Sequence, residues 1–281
     1  MPGLGRRLTQ KGKKMLLKKS IARIGRRLYL WGRAEQRNDP DINGEYELLE
    51  AALISVPTND IVIFDVGANL GNYTIKALDV SARKGLRTLV HCFEPAAATQ
   101  QLLKVRLESL STAKIIGVAL SDHVGIAQFY SSGAGKGTNS LGASSGSMVE
   151  SVPVTTVDEY LAQTGLHRVD LLKIDAEGFD YLVLKGAIDS LRTRRIRVIQ
   201  FEYNWRWIQN GASLLSVFEL ISGLHYKLAK ITKDGLLCIG EWHFELDKYF
   251  EGNYALVRGD VQLDIRQYLA YVDSTNTLVW R

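Results

Sequence analysis

Residues 63–74, IFDVGANLGNYT, decide how this chain folds. An apolar run carries one acid, Asp65, near its end; Gly67 and Gly71 then bracket Asn69, and a helical pattern begins at once. A parallel strand covered by helices on both faces reads as a continuous apolar run and not as an alternation. When such a strand enters a helix through glycines, backbone amides and the positive helix end converge at the carboxyl edge of the sheet. Gly67 and Gly71 permit a tight turn and the close approach of a ligand, and Asn69 either adopts a left-handed conformation or caps the helix. The turn is predicted to hold something small and polar.

Outward from that turn, short β-branched runs alternate with helical patterns. GEYELLEAALISV (44–56) reads as a helix leading into the body, DIVIFDV (60–66) as a strand and GNYTIKALDVSA (71–82) as a helix. RTLVHCFE (87–94), AAATQQLLKVRLESL (96–110) and AKIIGVAL (113–120) come next as strand, helix and strand. The rhythm resumes with VDLLKID (169–175) as strand, FDYLVLKGAIDSL (179–191) as helix, RIRVIQFE (195–202) as strand and a helix around SLLSVFELISG (213–223). YKLAKIT (226–232) and NYALVRG (253–259) close it as late strands. This is the signature of an α/β sheet with helices on both faces. Between the halves lies a glycine- and serine-rich stretch, 131–148, whose flanks look like paired strands; it reads either as a linker or as a loop that closes over substrate.

The chain has 281 residues, 46% of them hydrophobic, enough for a full core. Its two cysteines, Cys92 and Cys238, lie far apart in apolar runs, which excludes a disulfide framework and points to a reducing, cytoplasmic compartment. The net charge of +5 is unevenly placed: residues 1–34 hold eleven Lys and Arg and no acid, whereas residues 35–281 hold 24 basic and 30 acidic residues, a net of −6. Within this arm Leu17, Ile21, Ile24 and Leu28 recur as one helical stripe, closed by Tyr29 and Trp31. Such a basic amphipathic helix fits an anionic membrane surface on the cytoplasmic face; a helix docked on its own domain, a nucleic-acid arm and a transit peptide are the competing readings. The expected division is an arm, 1–34, and one domain, 35–281, with its core at about 45–260.

The ligand of the turn can be narrowed by chemistry. The dinucleotide pattern G-x-G-x-x-G and the phosphate-binding pattern G-x-x-x-x-G-K-[ST] are both absent. Asp65 would repel a pyrophosphate and attract an ammonium group. Glu94, at the end of the next strand, stands where an acid accepts hydrogen bonds from ribose hydroxyls. A ribose, no phosphate and a positive charge describe S-adenosylmethionine.

FDVGANLGNYT, FEPAAATQQLL, VALSDHVGIAQFY, VPVTTVDEYL and VDLLKIDAEGFDYLVLKGA together resemble the FkbM-type methyltransferases, which use S-adenosylmethionine on the class I methyltransferase (Rossmann-like) fold. The resemblance covers about residues 45–260 and leaves out the arm. It implies a seven-stranded, mostly parallel sheet whose last strand is antiparallel. It also implies that Asp65, Gly67, Asn69 and Gly71 line the methionine end of the cofactor, that Glu94 takes the ribose, that Asp122 at the third strand's end contacts adenine, and that Asp175 lies under the sulfonium. No role is carried over to Phe179 or Asp180.

Methyl transfer to a hydroxyl needs alignment, exclusion of water and a group to receive one proton. Asp175, Glu177 and Glu202 all end strands at one edge, and crowded carboxylates raise one another's pKa. Glu177 or Glu202 is expected as the base, with Asp175 holding the cofactor or the acceptor; alternatively Glu177 merely favours the first turn of the next helix. No metal site is expected, because no histidine lies close in sequence to these acids. The acceptor expected from the resemblance is an oxygen of a sugar, glycolipid, polysaccharide or polyketide. Two competing functions stand beside it: a module that binds the cofactor without consuming it, and a nucleic-acid methyltransferase using the arm. The second lacks both a basic body and an [ND]PP[YF] element for a flipped base.

Overall fold

The computed structural model describes residues 10–131, 133–135, 140–141 and 148–281. The expectation of a closing loop at 131–148 therefore lies largely outside the described residues, as do the first nine residues of the arm. The chain divides into two units, Met1–Gln36 and Arg37–Arg281. The first contains helix α1, Gln10–Gly32, one continuous helix of 23 residues. Among the described residues no helix is long and apolar enough to cross a membrane.

The second unit keeps the α/β rhythm. Helix α2 (Glu45–Ile54) precedes β1 (Asp60–Val66), α3 (Asn72–Arg83), β2 (Arg87–Phe93), α4 (Ala97–Leu107) and β3 (Ala113–Ile116). A small sheet intervenes, made of β4 (Ala119–Leu120), β5 (Gly125–Ser131) and β6 (Met148–Thr155). Then come α5 (Val157–Thr164), β7 (Val169–Ile174), α6 (Asp180–Lys185), α7 (Ile188–Arg192) and β8 (Ile196–Tyr203), with a 3-10 turn, Trp205–Asn210, and α8 (Leu214–Ile221) after them. The chain closes with β9 (Tyr226–Thr232), β10 (Gly235–Ile239), β11 (Gly252–Arg258), β12 (Gln267–Val272) and β13 (Leu278–Trp280).

Strands β3, β2, β1, β7 and β8 are parallel in that order, and β11 inserts antiparallel between β8 and β9. These seven strands have the order and the single reversed strand of the class I methyltransferase sheet. The expected count of seven is nevertheless too low, because β10, β12 and β13 extend the sheet to ten strands among the described residues. Both faces are covered. Ile61, Ile63, Val90, Leu171 and Val198 pack in one cluster with Leu48, Leu49 and Ala77 of α2 and α3. On the other face Phe64 and Phe93 meet Tyr160 of α5 edge-on, with centroids 5.5 and 4.8 Å away. Full burial of side chains of this size stabilises by about 1.5–3 kcal/mol each.

Two elements read as continuous are broken, each at a glycine. AKIIGVAL splits at Gly117–Val118: Ala113–Ile116 joins the main sheet, and Ala119–Leu120 pairs with β6 in the small one. FDYLVLKGAIDSL splits at Gly186, where a Cβ would lie 2.0 Å from the Ser121 carbonyl oxygen, so the helix passes the small sheet's backbone at a distance only glycine permits. The flanks of the glycine- and serine-rich stretch do pair, as antiparallel β5 and β6.

Candidate active site

The turn after β1 is left-handed at three positions, Gly67 (φ 73°), Asn69 (φ 48°) and Gly71 (φ 75°). Gly67 is required twice over, since a Cβ there would also lie 1.9 Å from the backbone oxygen of Asp175. Backbone bonds tie three strand ends into one edge: the Gly67 and Ala68 amides donate to the Phe93 carbonyl at 3.0 and 3.1 Å, and the Asp175 amide donates to Val66 at 3.0 Å. Glu94 is clamped beneath the turn, its Oε2 accepting the Asn69 amide and its Oε1 the Ala96 amide, both at 3.0 Å. The Asn69 side-chain oxygen is buried and has no partner among the described residues.

Above this edge opens a cleft, partly open to solvent. Its walls are Gly67 and Asn69 from the first turn, Phe93 and Glu94 from the second strand end, Asp175, Glu177 and Phe179 from the third, and Leu120, Phe129 and Leu141 from the small-sheet region. Burial pushes Glu94 up to about 7 against the two amides that hold it. Burial likewise pushes Glu177 up to about 8; Asp175 adds to the rise and Arg206, its ion-pair partner, opposes it.

Behind Glu177 lie two further acids. Asp180 is fully buried, accepts the Ala176 and Gly178 amides, and is pushed up to about 7 by burial and then by Asp175. Glu202 is raised to about 10 by burial and by Asp175, Asp180 and Glu177. Its oxygens accept the side-chain amides of Asn38 at 2.6 Å and Asn204 at 2.9 Å. Asp175 itself is 43% exposed and receives the ammonium of buried Lys173 at 3.2 Å. Lys173 also lies 3.6 Å from Asp65; burial alone would lower its pKa, but Asp175, Asp65 and Glu45 outweigh that and raise it.

The sequence-predicted residues thus fall into two groups. Gly67, Asn69, Glu94, Asp175 and Glu177 are brought together on the cleft wall. Asp65 lies below it, fully buried and accepting the Thr74 hydroxyl at 2.7 Å, and Gly71 starts α3 against Leu103. Glu202 sits behind the wall. Asp122 is not on the wall, and it does not end the third strand of the main sheet; it comes after β4 and pairs with Lys185 at 2.7 Å and His123 at 3.0 Å, which hold it low against its partial burial. Just past β8, Trp207 is buried and donates to the Glu202 carbonyl at 3.0 Å, whereas Trp205 is 55% exposed.

Sequence reading missed Lys173, Asp180, Arg206 and Asn38. Lys173 is a cation inside a fully buried strand, which is itself a sign of a paired role. Asp180 sits three residues after Glu177, at the start of a helix where an acid is ordinarily a capping residue. Arg206 and Asn38 carry no local pattern, and only the fold brings them to Glu177 and Glu202.

Three comparisons bear on these observations. A sequence profile described as "Methyltransferase FkbM domain" matches residues 65–228. The 2-O-methyltransferase NoeI of Sinorhizobium fredii is 26% identical over 187 residues, which is 58% of this chain and 74% of that protein. Among solved structures, the methyltransferase FkbM of Methylobacillus flagellatus is similar over 70% of this chain with a TM-score of 0.47 and 14% identity; the match spans only 44% of that longer chain. Aeropyrum pernix fibrillarin, solved with natively bound S-adenosyl-L-methionine, gives a TM-score of 0.40 at 14% identity, covering 76% of each chain.

Proposed function

The chain belongs to the FkbM methyltransferase family, with S-adenosylmethionine as its cofactor, and from that premise we propose that it methylates a hydroxyl oxygen of a sugar, free or carried on a glycan, glycolipid or polyketide. The residues present suit the cofactor. Asn69 offers a buried oxygen with no partner among the described residues, and each Glu94 oxygen, accepting one amide, has a second lone pair for a ribose hydroxyl. The wall carries Glu94, Asp175 and Glu177, which favour a cationic ligand over a phosphate. When bound, the cofactor supplies a methyl group activated by a positive sulfur.

The chain's own residues must align the acceptor, keep water out and take one proton. The observation that carries the reading is Glu177: it lines the cleft, its pKa near 8 is close to the pH at which a general base works best, and Arg206 fixes its direction. Glu202 is less suited, since it lies off the wall and burial with its neighbouring acids raises its pKa further than that of Glu177. Asp175, beside Glu177 and braced by Lys173, is assigned the positioning of cofactor or acceptor. Identification of the relative as a 2-O-methyltransferase agrees with an oxygen acceptor.

The test is transfer of labelled methyl from S-adenosylmethionine to a panel of oligosaccharides, glycolipids and polyketides. Label is expected on an acceptor oxygen. Glu177→Gln should cut turnover by about 10²–10⁴-fold while cofactor affinity stays within a few-fold, and Glu202→Gln should cost less. Full turnover in Glu177→Gln would remove it as base; label on nitrogen or carbon alone would overturn the reading.

A further inference from the structure

The arm offers an interaction surface that owes nothing to the reaction. Gln10–Gly32 is a single helix, about 34 Å long at ~1.5 Å per residue. At 100° per residue, Leu17, Ile21, Ile24, Leu28 and Trp31 fall within one narrow arc. Lys18, Lys19, Arg23 and Arg27 spread over the opposite half of the wheel, which Met15, Leu16 and Leu30 share. Residues 1–34 contain no acid. The helix is not long and apolar enough to span a bilayer, and it belongs to a unit of its own, Met1–Gln36.

A polyanion in water would use the cations and leave the apolar arc idle, and a neutral apolar surface would use the arc and leave the cations idle. A bilayer surface rich in anionic headgroups uses both at once: aliphatic side chains and an indole enter the acyl boundary while lysines and arginines stay at phosphate level. We infer that residues 10–32 lie flat in the headgroup region of an anionic membrane and hold the catalytic unit at that surface. Acceptors presented at the membrane would then meet the enzyme at raised local concentration.

Co-sedimentation of the full chain with vesicles of phosphatidylcholine, with and without phosphatidylglycerol, tests this, with duplex RNA as the rival polyanion. Binding is expected to the anionic vesicles and to weaken as salt rises. The double variant I21D/I24D should lose at least about tenfold in partitioning, given ~1.5–3 kcal/mol for each buried aliphatic chain and tenfold per ~1.4 kcal/mol, with cofactor affinity and melting temperature unchanged. The triple variant K18E/K19E/R23E should lose the preference for anionic over neutral vesicles. Three results would overturn the inference: no vesicle binding by the unaltered chain; equal binding by I21D/I24D, meaning that charge alone acts, as it would on RNA; or a lower melting temperature in I21D/I24D, which would place the stripe in the chain's own fold.

Discussion

Lys173 carries a buried positive charge that two carboxylates depend on, with Asp175 at 3.2 Å and Asp65 at 3.6 Å, and its ammonium also lies 5.6 Å from the centre of the Tyr73 ring. Across the sheet it stands in one row with Asp65 of β1 and Gln200 of β8. Gln200 bonds Glu45 at 2.5 Å and Tyr73 at 3.2 Å, so the polar row is continuous beneath α2 and α3. Removing one partner of a buried ion pair costs about 3–5 kcal/mol because the other charge is left without compensation. Lys173→Met should therefore destabilise by roughly that amount. Urea unfolding of both proteins measures it. A variant within about 1 kcal/mol of the unaltered chain would show that the two carboxylates do not depend on this cation.

At the scale of elements, the turn between β1 and α3 separates folding from binding position by position. Gly67 has a positive φ and no room for a methyl group, its would-be neighbour being the Asp175 backbone. Gly71 has a positive φ too, but a Cβ there meets the Leu103 side chain at 2.7 Å, and a side-chain tip can move. Gly67→Ala is predicted to cost more than about 3 kcal/mol and to abolish cofactor binding, whereas Gly71→Ala should cost about 1–2 kcal/mol and leave binding measurable. Asn69→Gly should do the reverse, keeping stability within about 1 kcal/mol, since glycine tolerates φ 48°, while weakening the cofactor by removing the buried oxygen. Thermal melts with calorimetric titration of S-adenosylhomocysteine separate these outcomes; a Gly67→Ala protein that still binds would contradict the geometry. This turn was legible in the sequence because glycine spacing, a buried run and a helix start all agree on it. The sheet change at Gly117 was not legible, since a short apolar run reads the same in either sheet, and Gly186 gave no sign that Ser121 would approach it. Glu94 and Glu177 could be placed at strand ends by counting, but Arg206 and Asn38 reach Glu177 and Glu202 through tertiary folding alone.

For the molecule as a whole, the acids of the site dominate the response to pH. Burial is the leading cause in each case, raising Glu94 and Asp180 to about 7, Glu177 to about 8 and Glu202 to about 10, all from 4.5 or below. Above pH ~5 the folded chain thus holds protons that the unfolded chain has released, so stability falls as pH rises, by about 1.4 kcal/mol per pH unit for each proton held. His91 works the other way: pushed down to about 4 by burial, it withdraws stability as pH falls from its ordinary 6.5 toward 4. The cofactor-free protein should accordingly melt at least about 5 °C lower at pH 8 than at pH 6, taking one net proton and ~2–4 °C per kcal/mol for a chain of this size. Ligand chemistry then supplies a control. S-adenosylmethionine carries a positive sulfur that S-adenosylhomocysteine lacks, and a cation beside Glu94 and Glu177 favours their ionised forms. The melting-temperature gain from S-adenosylmethionine over that from S-adenosylhomocysteine, at equal saturation, should widen from pH 6 to pH 8. Scanning calorimetry at the two pH values reads both quantities. A gap that stays constant would mean that the carboxylates do not face the positive sulfur, and the wall formed by Glu94 and Glu177 would have to hold the cofactor by its uncharged parts.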